Sequence, residues 1–290
     1  MTTRPGRRLL ADLALVGVVF IWGSTFVVVK RALEDCSTLL FLTLRFTLAT
    51  VVLGLVFRRA ANLQRFPKGA ARAGLLVGGA LFVGYLLQTM GLRLTTPARS
   101  GLITGFAVVL VPLLGAVLFR ARPAWNGWAG VACATAGLWV LMAPSGGWAV
   151  SRGDLLTLLC AVAFAMHVLL VGRYAARVGA AVLATVQVAV AAALSLGSWF
   201  WAEQPYVRWT APLIGAVLIG GVLATALGFT VQTWAQQFTS PTRTALILTL
   251  EPVFAWLTSY LVMGETLGAR GAAGAVLILA GILVSELKPT

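Results

Sequence analysis

Acidic side chains are scarce in this chain. Eight Asp and Glu stand among 290 residues against 22 Lys and Arg, and charged residues of both signs make up 10%. A soluble domain draws about 25% of its residues from these four types, so the composition excludes one. The chain has one histidine, His167, and three cysteines, Cys36, Cys133 and Cys160, without metal-ligand spacing. No metal site is expected, and the cysteines read as small apolar packing residues. A membrane-embedded enzyme would need converging acids, bases or a metal motif, and that set is missing. No Gly-x-x-x-x-Gly-Lys loop is present to cradle nucleotide phosphates, so ATP does not drive this chain directly. No cofactor is expected. The net charge of +14 invites a nucleic-acid reading. However, the basic residues sit mostly in short connections, and no basic stripe with interleaved aromatics exists, so nucleic acid is not an expected partner.

What remains is apolar: 60% of residues are hydrophobic and the mean hydropathy is +0.94. Runs long enough to cross a bilayer, about 20 residues each, recur along the whole length. Ten spans are predicted, at 10–30, 37–57, 72–92, 97–119, 125–143, 153–173, 180–201, 210–233, 241–263 and 268–287. Every backbone group at membrane depth needs an internal partner, so these spans are helices. The basic start and apolar stretch at the N-terminus lack a small-x-small cleavage site, and the stretch reads as an uncleaved first helix. Placing the N-terminus inside puts fourteen Lys and Arg in cytoplasmic connections and seven in external ones, with Arg45 alone in mid-span. That two-to-one bias predicts both termini in the cytoplasm.

The sequence repeats itself. Gly84, Gln88, Thr89, Thr95, Pro97, Arg99, Leu102 and Ile103 recur as Gly228, Gln232, Thr233, Thr239, Pro241, Arg243, Leu246 and Ile247, each 144 positions on. Gly127, Gly130 and Gly137 recur likewise as Gly271, Gly274 and Gly281. Earlier in the chain the spacing is 142: Asp12-Leu13 falls on Asp154-Leu155, Trp22 on Phe164, Thr25 on His167, Thr43 on Thr185 and Arg45 on Gln187. A two-residue gap near the second and third spans accounts for the change. Five spans per half is an odd number, so the halves cross the membrane in opposite senses. The expected fold is an all-α integral membrane protein, ten transmembrane helices as two inverted five-helix repeats, residues 1–144 and 145–290. Inverted repeats give many secondary transporters two near-equivalent gates around a midplane site.

The segments WGSTFVVVK (22–30), LRFTLA (44–49), TTPARSGLI (95–103) and LEPVFAWLTSYLVMGETLGARGAAGAVLILAGILV (250–284) resemble the drug/metabolite transporter superfamily, in particular its ten-helix EamA-type exporters. The most specific piece is Glu251-Pro252 followed by Gly264-Glu265. In the first half Ala107 stands opposite Glu251 and Ala121 opposite Glu265. The resemblance implies alternating-access movement of small solutes, often export of amino acids or related metabolites, in the bacterial inner membrane.

Polar groups inside the spans are the candidates for the site. A carboxylate near a helix centre costs about 2.5–3.5 kcal/mol on the insertion scale, so Glu251 needs a partner, a proton or a wet cavity. It reads either as a protonatable transport group or as an interhelical hydrogen-bond anchor, and Pro252 frees the Leu248 carbonyl and bends the helix there. His167 is a proton carrier or a helix contact. Gln88 and Gln232 hold equivalent places, suited to a zwitterion or amide and equally to stitching helices. Trp22, Tyr85, Phe164 and Phe229 fall at matched places and either line a cavity or pack; Thr25 is the repeat mate of His167. Arg45 reads first as structural, paired with an acid, and second as a carboxylate site. Trp125, Trp128, Trp148, Trp201 and Trp209 read as an interfacial belt. The cavity is expected among the first, third and fourth helices and their mates, the sixth, eighth and ninth. The substrate-binding set is Trp22, Thr25, Tyr85, Gln88, Phe164, His167, Phe229, Gln232 and Glu251. Expected partners are a small-molecule substrate, the lipid bilayer and protons, with the chain a monomer or homodimer. The alternatives are a multidrug, base or quaternary-amine transporter and a passive facilitator.

Overall fold

The computed structural model describes residues 5–58, 67–120, 124–142, 151–263 and 268–286. Its helices are α1 (Pro5–Ala32), α2 (Thr38–Val56), α3 (Ala70–Leu94), α4 (Pro97–Thr104), α5 (Ala107–Phe119), α6 (Trp125–Met142), α7 (Arg152–Val178), α8 (Ala180–Ala202), α9 (Ala211–Leu218), α10 (Gly228–Ala235), α11 (Pro241–Leu248), α12 (Glu251–Met263) and α13 (Gly268–Glu286). A π-helical segment, Ile219–Leu227, joins α9 to α10. Counting α4–α5, α9–α10 and α11–α12 as single interrupted spans gives the ten predicted helices. Eight of the spans are long and apolar enough to cross a membrane among the described residues, and α6 packs along α13. Trp148, Ala121 and the Gly264-Glu265 pair lie outside the described residues, as does the Arg99 side chain. Trp125, Trp128, Trp201 and Trp209 are all exposed on the surface, as lipid-interface residues would be.

Helix starts follow local chemistry. Ser151 and Asp154 form a reciprocal capping box at α7, so two orphan amides of the first turn are satisfied. Ser240 caps α11, with Pro241 in the first turn, where its missing N–H costs nothing.

The two halves meet through matched pairs of close contacts. A Cβ on Gly137 would lie 2.7 Å from the Gly274 carbonyl oxygen, and one on Gly281 would lie 2.6 Å from that of Gly130. The two contacts exchange repeat-equivalent residues, as a pseudo-twofold axis between α6 and α13 requires. Likewise Gly84 lets the Phe164 ring lie against α3, and Gly228 lets the Trp22 ring lie against α10.

The same register locates part of the change in repeat spacing. Gly78 faces the Gln187 carbonyl, and Gly221 faces that of Arg45. From these glycines to Gly84 and Gly228 is six residues in the first half and seven in the second. The extra residue is housed in Ile219–Leu227, where a π turn absorbs one insertion without ending the helix. One of the two residues expected as a gap is therefore a bulge inside a span.

At the end of the bundle where α1 finishes, the halves are laced together. Asp35 accepts from Thr210 Oγ1 and Arg208 Nη2, both at 2.6 Å. The Thr210 hydroxyl, then Arg208, hold its carboxyl below the usual range. Arg93 donates to Thr38 Oγ1, to the Leu33 and Cys36 carbonyls and to the Tyr206 hydroxyl. Lys30 Nζ caps the end of α3 on the carbonyls of Leu92, Arg93 and Thr95. Glu203 accepts from the Leu40 amide at the start of α2.

Replacing Gly137 or Gly281 with Ala should each cost about 1–3 kcal/mol through overpacking against backbone that cannot move aside. Thermal unfolding in detergent checks this. The control is Gly79→Ala, whose new Cβ meets nothing within 4 Å; equal midpoints for all three would refute the contact as a stabilising one.

Candidate functional site

A cavity of about 70 Å³ lies between the halves. A water needs roughly 10–15 Å³ on this measure, so about five fit. All nine residues singled out from the sequence line it, together with Arg45 and Thr104. The contributing helices are α1, α3, α4–α5, α7, α10 and α11–α12, the six spans expected, with Arg45 of α2 added.

Both fourth spans are interrupted where they meet the cavity. In the second half the break falls at Thr249–Leu250, just before Glu251-Pro252, where the sequence places the freed Leu248 carbonyl. In the first half it falls at Gly105–Phe106. The local bonds are equivalent: Phe106 N donates to Ile103 O, and Leu250 N to Ile247 O, both at 3.1 Å and both spanning three residues. Proline is not the common cause. Pro112 lies inside the continuous α5, so the first break rests on Gly105 and the tight turn alone. Interrupted helices at membrane depth occur where backbone is buried in protein or lines a cavity, as here.

The aromatic set converges. Trp22 and Phe229 have ring centroids 5.2 Å apart, Tyr85 and Phe164 5.3 Å, and Tyr85 and Phe229 6.0 Å. Each close pair joins opposite halves. Trp22 Nε1 donates to the Ala224 carbonyl at 2.7 Å, within the π segment. Thr25 Oγ1 is turned back onto its own helix, donating to the Trp22 carbonyl.

The polar groups divide into tied and untied. His167 Nε2 donates to Gln187 Oε1 at 2.7 Å, and Gln187 Nε2 donates to Thr233 Oγ1 at 3.0 Å. The ring is thus a hydrogen-bonded contact across α7, α8 and α10, and its tautomer is fixed by the amide. Gln88 Nε2 donates to Thr104 Oγ1 at 3.3 Å. Its mate Gln232 is buried with Oε1 unpartnered. Glu251 makes no hydrogen bond or ion pair among the described residues, so the anchoring role considered for it has no partner here.

Arg45 is 3% exposed. Its Nε donates to Thr225 Oγ1 at 2.8 Å and its Nη2 to the Tyr85 hydroxyl at 3.0 Å. The guanidinium carbon stands 4.3 Å from the centroid of the Tyr85 ring. Thr225 in turn donates to the Gly220 carbonyl, five residues back, as a π turn allows. The acid partner expected first for Arg45 is absent among the described residues. Neither Thr225 nor the π segment stands out in the sequence. The only signal is that Arg45 replaces Gln187 of the other half, so its surroundings cannot be a copy.

Related contacts join the start of each half's first helix to a turn before a fourth span. Asp12, at the start of α1, pairs with Arg243 of α11, Nη2 to Oδ2 at 2.5 Å. Its mate Asp154, at the start of α7, accepts from Thr95 Oγ1 in the corresponding turn of the first half, at 3.0 Å.

The model of the EamA-like transporter family matches this chain twice, over residues 9–143 and 151–287. An uncharacterized transporter of Archaeoglobus fulgidus is 33% identical over 283 residues, covering 97% of this chain and 87% of that protein. The Bacillus subtilis uncharacterized transporter YvbV is 27% identical over 288 residues, covering 95% of this chain and 91% of its own. A solved crystal structure superposes with a TM-score of 0.79 at 22% identity, over 99% of this chain and 98% of the other, a likeness of fold. Matched in each half and over nearly its whole length, this multi-pass membrane protein belongs to the EamA-like transporter family.

Proposed function

We propose that this chain is a secondary transporter that exports a small polar or amphipathic metabolite, an amino acid by preference, by alternating access. The observation that carries the reading is the convergence of paired residues from both halves on one cavity, at the level where both fourth helices are interrupted. In this reading residues 1–144 and 145–290 are inverted units that rock about the cavity. The Asp12–Arg243 contact closes one entrance and the Asp154–Thr95 contact the other, each parting in turn. The chain sits in the bacterial inner membrane with both termini cytoplasmic, as the basic residues favour, with lipid as its solvent and a monomer or homodimer as its working form.

Size favours small solutes. Drug-sized ligands occupy about 300–1,000 Å³, several times the cavity observed here. The aromatic walls suit an apolar side chain, and the polar groups suit charged ends. Glu251 is the candidate proton carrier: an acid without a protein partner must take either a proton or a substrate cation when the cavity closes. His167, tied to Gln187, serves as a positioning contact.

Proteoliposomes preloaded with unlabelled amino acid should take up the labelled compound faster than empty ones. A passive facilitator gives no such acceleration, and its absence across a panel of amino acids, amines and bases would remove the carrier reading. Glu251→Gln should abolish the effect of a pH gradient on net transport while leaving exchange measurable. Full gradient dependence in that variant would rule out Glu251 as the coupling group.

A further inference from the structure

We infer that Arg45 is the docking group for a carboxylate on the transported solute, with Glu251 facing the solute's ammonium group. The inference rests on the carrier reading above and names its substrate class: zwitterionic α-amino acids of small size.

The starting point is a charge without a counter-charge. An arginine enclosed at membrane depth is costly unless it is paired or solvated. Arg45 has neither an acid within ion-pair distance nor a second arginine to share one among the described residues. Its neighbours are two neutral hydroxyls and the face of Tyr85. An aromatic face offsets only part of that cost. The remainder has to come from what occupies the cavity.

The contacts that Arg45 does make leave it oriented for that purpose. Nε is committed to Thr225 and one Nη2 hydrogen to Tyr85, while Nη1 bonds to nothing among the described residues. The free edge therefore consists of the Nη1 hydrogens and the second Nη2 hydrogen. These donors are enough for a carboxylate to take two charge-assisted bonds from the guanidinium. The α9–α10 span has made room for it: Gly220 and Gly221 lie against the side chain and backbone of Arg45, and the π segment presents Thr225 to Nε.

The rest of the lining restricts the class of anion. Among the described residues, Arg45 is the only Lys or Arg on the cavity wall and Glu251 the only acid. One cation suits a monoanion, and an unpaired acid in the same space disfavours a second negative charge. It favours a solute with a positive end, for which the unpartnered Gln232 Oε1 is a further acceptor. The aromatic pairs around Trp22 and Tyr85 are left for the side chain.

The test is competition in counterflow by the purified full chain in proteoliposomes. Labelled L-amino acids compete against themselves, their decarboxylated amines, their methyl esters and the matching 2-oxo acids. The free amino acid should compete best, with amine and ester weaker by about tenfold or more, the loss expected for removing a charge-assisted bidentate contact. Arg45→Gln, which copies the residue at the equivalent position of the other half, should bring free acid and ester to the same affinity. Arg45→Lys should keep part of the difference. Equal competition by acid, amine and ester in the unaltered protein overturns the inference without need of a variant. So does an undiminished preference for the free acid in Arg45→Gln. Counterflow of amines or bases that no carboxylate inhibits overturns it too, and leaves the carrier reading standing. If no compound shows counterflow, the carrier reading fails. Thermal stabilisation of the detergent-purified protein by the same acids, but not by their esters, then still establishes the docking group, and its absence refutes it.

Discussion

A backbone amide or carbonyl set in hydrocarbon without a partner costs several kcal/mol, and the whole bundle is arranged around the few places where helical bonding lapses. These places are the breaks at Gly105–Phe106 and Thr249–Leu250 and the π segment Ile219–Leu227. All three are turned inward. The breaks keep three-residue bonds and open on the cavity; the π segment gives its Ala224 carbonyl to Trp22 and its Thr225 hydroxyl to Arg45. Around them the spans are uninterrupted helices, packed through glycines at Gly137 and Gly281 so closely that one backbone touches another. Rigid walls and an irregular middle follow from one requirement.

That arrangement also explains where polar side chains sit. His167, Gln187 and Thr233 form a hydrogen-bonded chain within the protein. Arg45, Gln232 Oε1 and Glu251 do not reach one another, although all three face the same space. The tied groups join helices, and the untied ones are those assigned to the solute under the proposed function. At the end of the bundle where α1 finishes, Lys30, Asp35, Arg93 and Arg208 are spent on carbonyls, hydroxyls and each other, and the Asp35–Arg208 and Arg93–Tyr206 contacts cross between halves.

Much of this was legible from residue order. Apolar run length is a direct consequence of bilayer thickness, so the ten spans stood out with ends correct to a few residues. The duplication then picked the lining: Trp22 with Phe164, Tyr85 with Phe229 and Gln88 with Gln232 were matched by position, and each lies at the cavity. What stayed hidden depends on contacts between distant segments. The π segment has no composition of its own; its trace is a drift of one residue in repeat spacing. The first break lacks a proline at its site, and Pro112 misleads because α5 runs through it. The partners of Arg45 come from α3 and the eighth span, which no local pattern connects to α2. Arg93 and Arg208 counted only as topology charges, since hydrogen bonds between loops leave no periodic signature.

The single inserted residue of the π segment has a thermodynamic consequence. Two identical inverted halves would make the inward-facing and outward-facing forms equivalent by a twofold rotation, equal in energy and equally populated at rest. Here the halves differ at the insertion, at Arg45 against Gln187 and at Glu251 against Ala107. Under the proposed rocking motion those differences lift the degeneracy. An imbalance of about 1.4 kcal/mol is enough for a tenfold resting preference. Under that proposal, divergence between duplicated halves gives the empty protein a side of the membrane on which it waits.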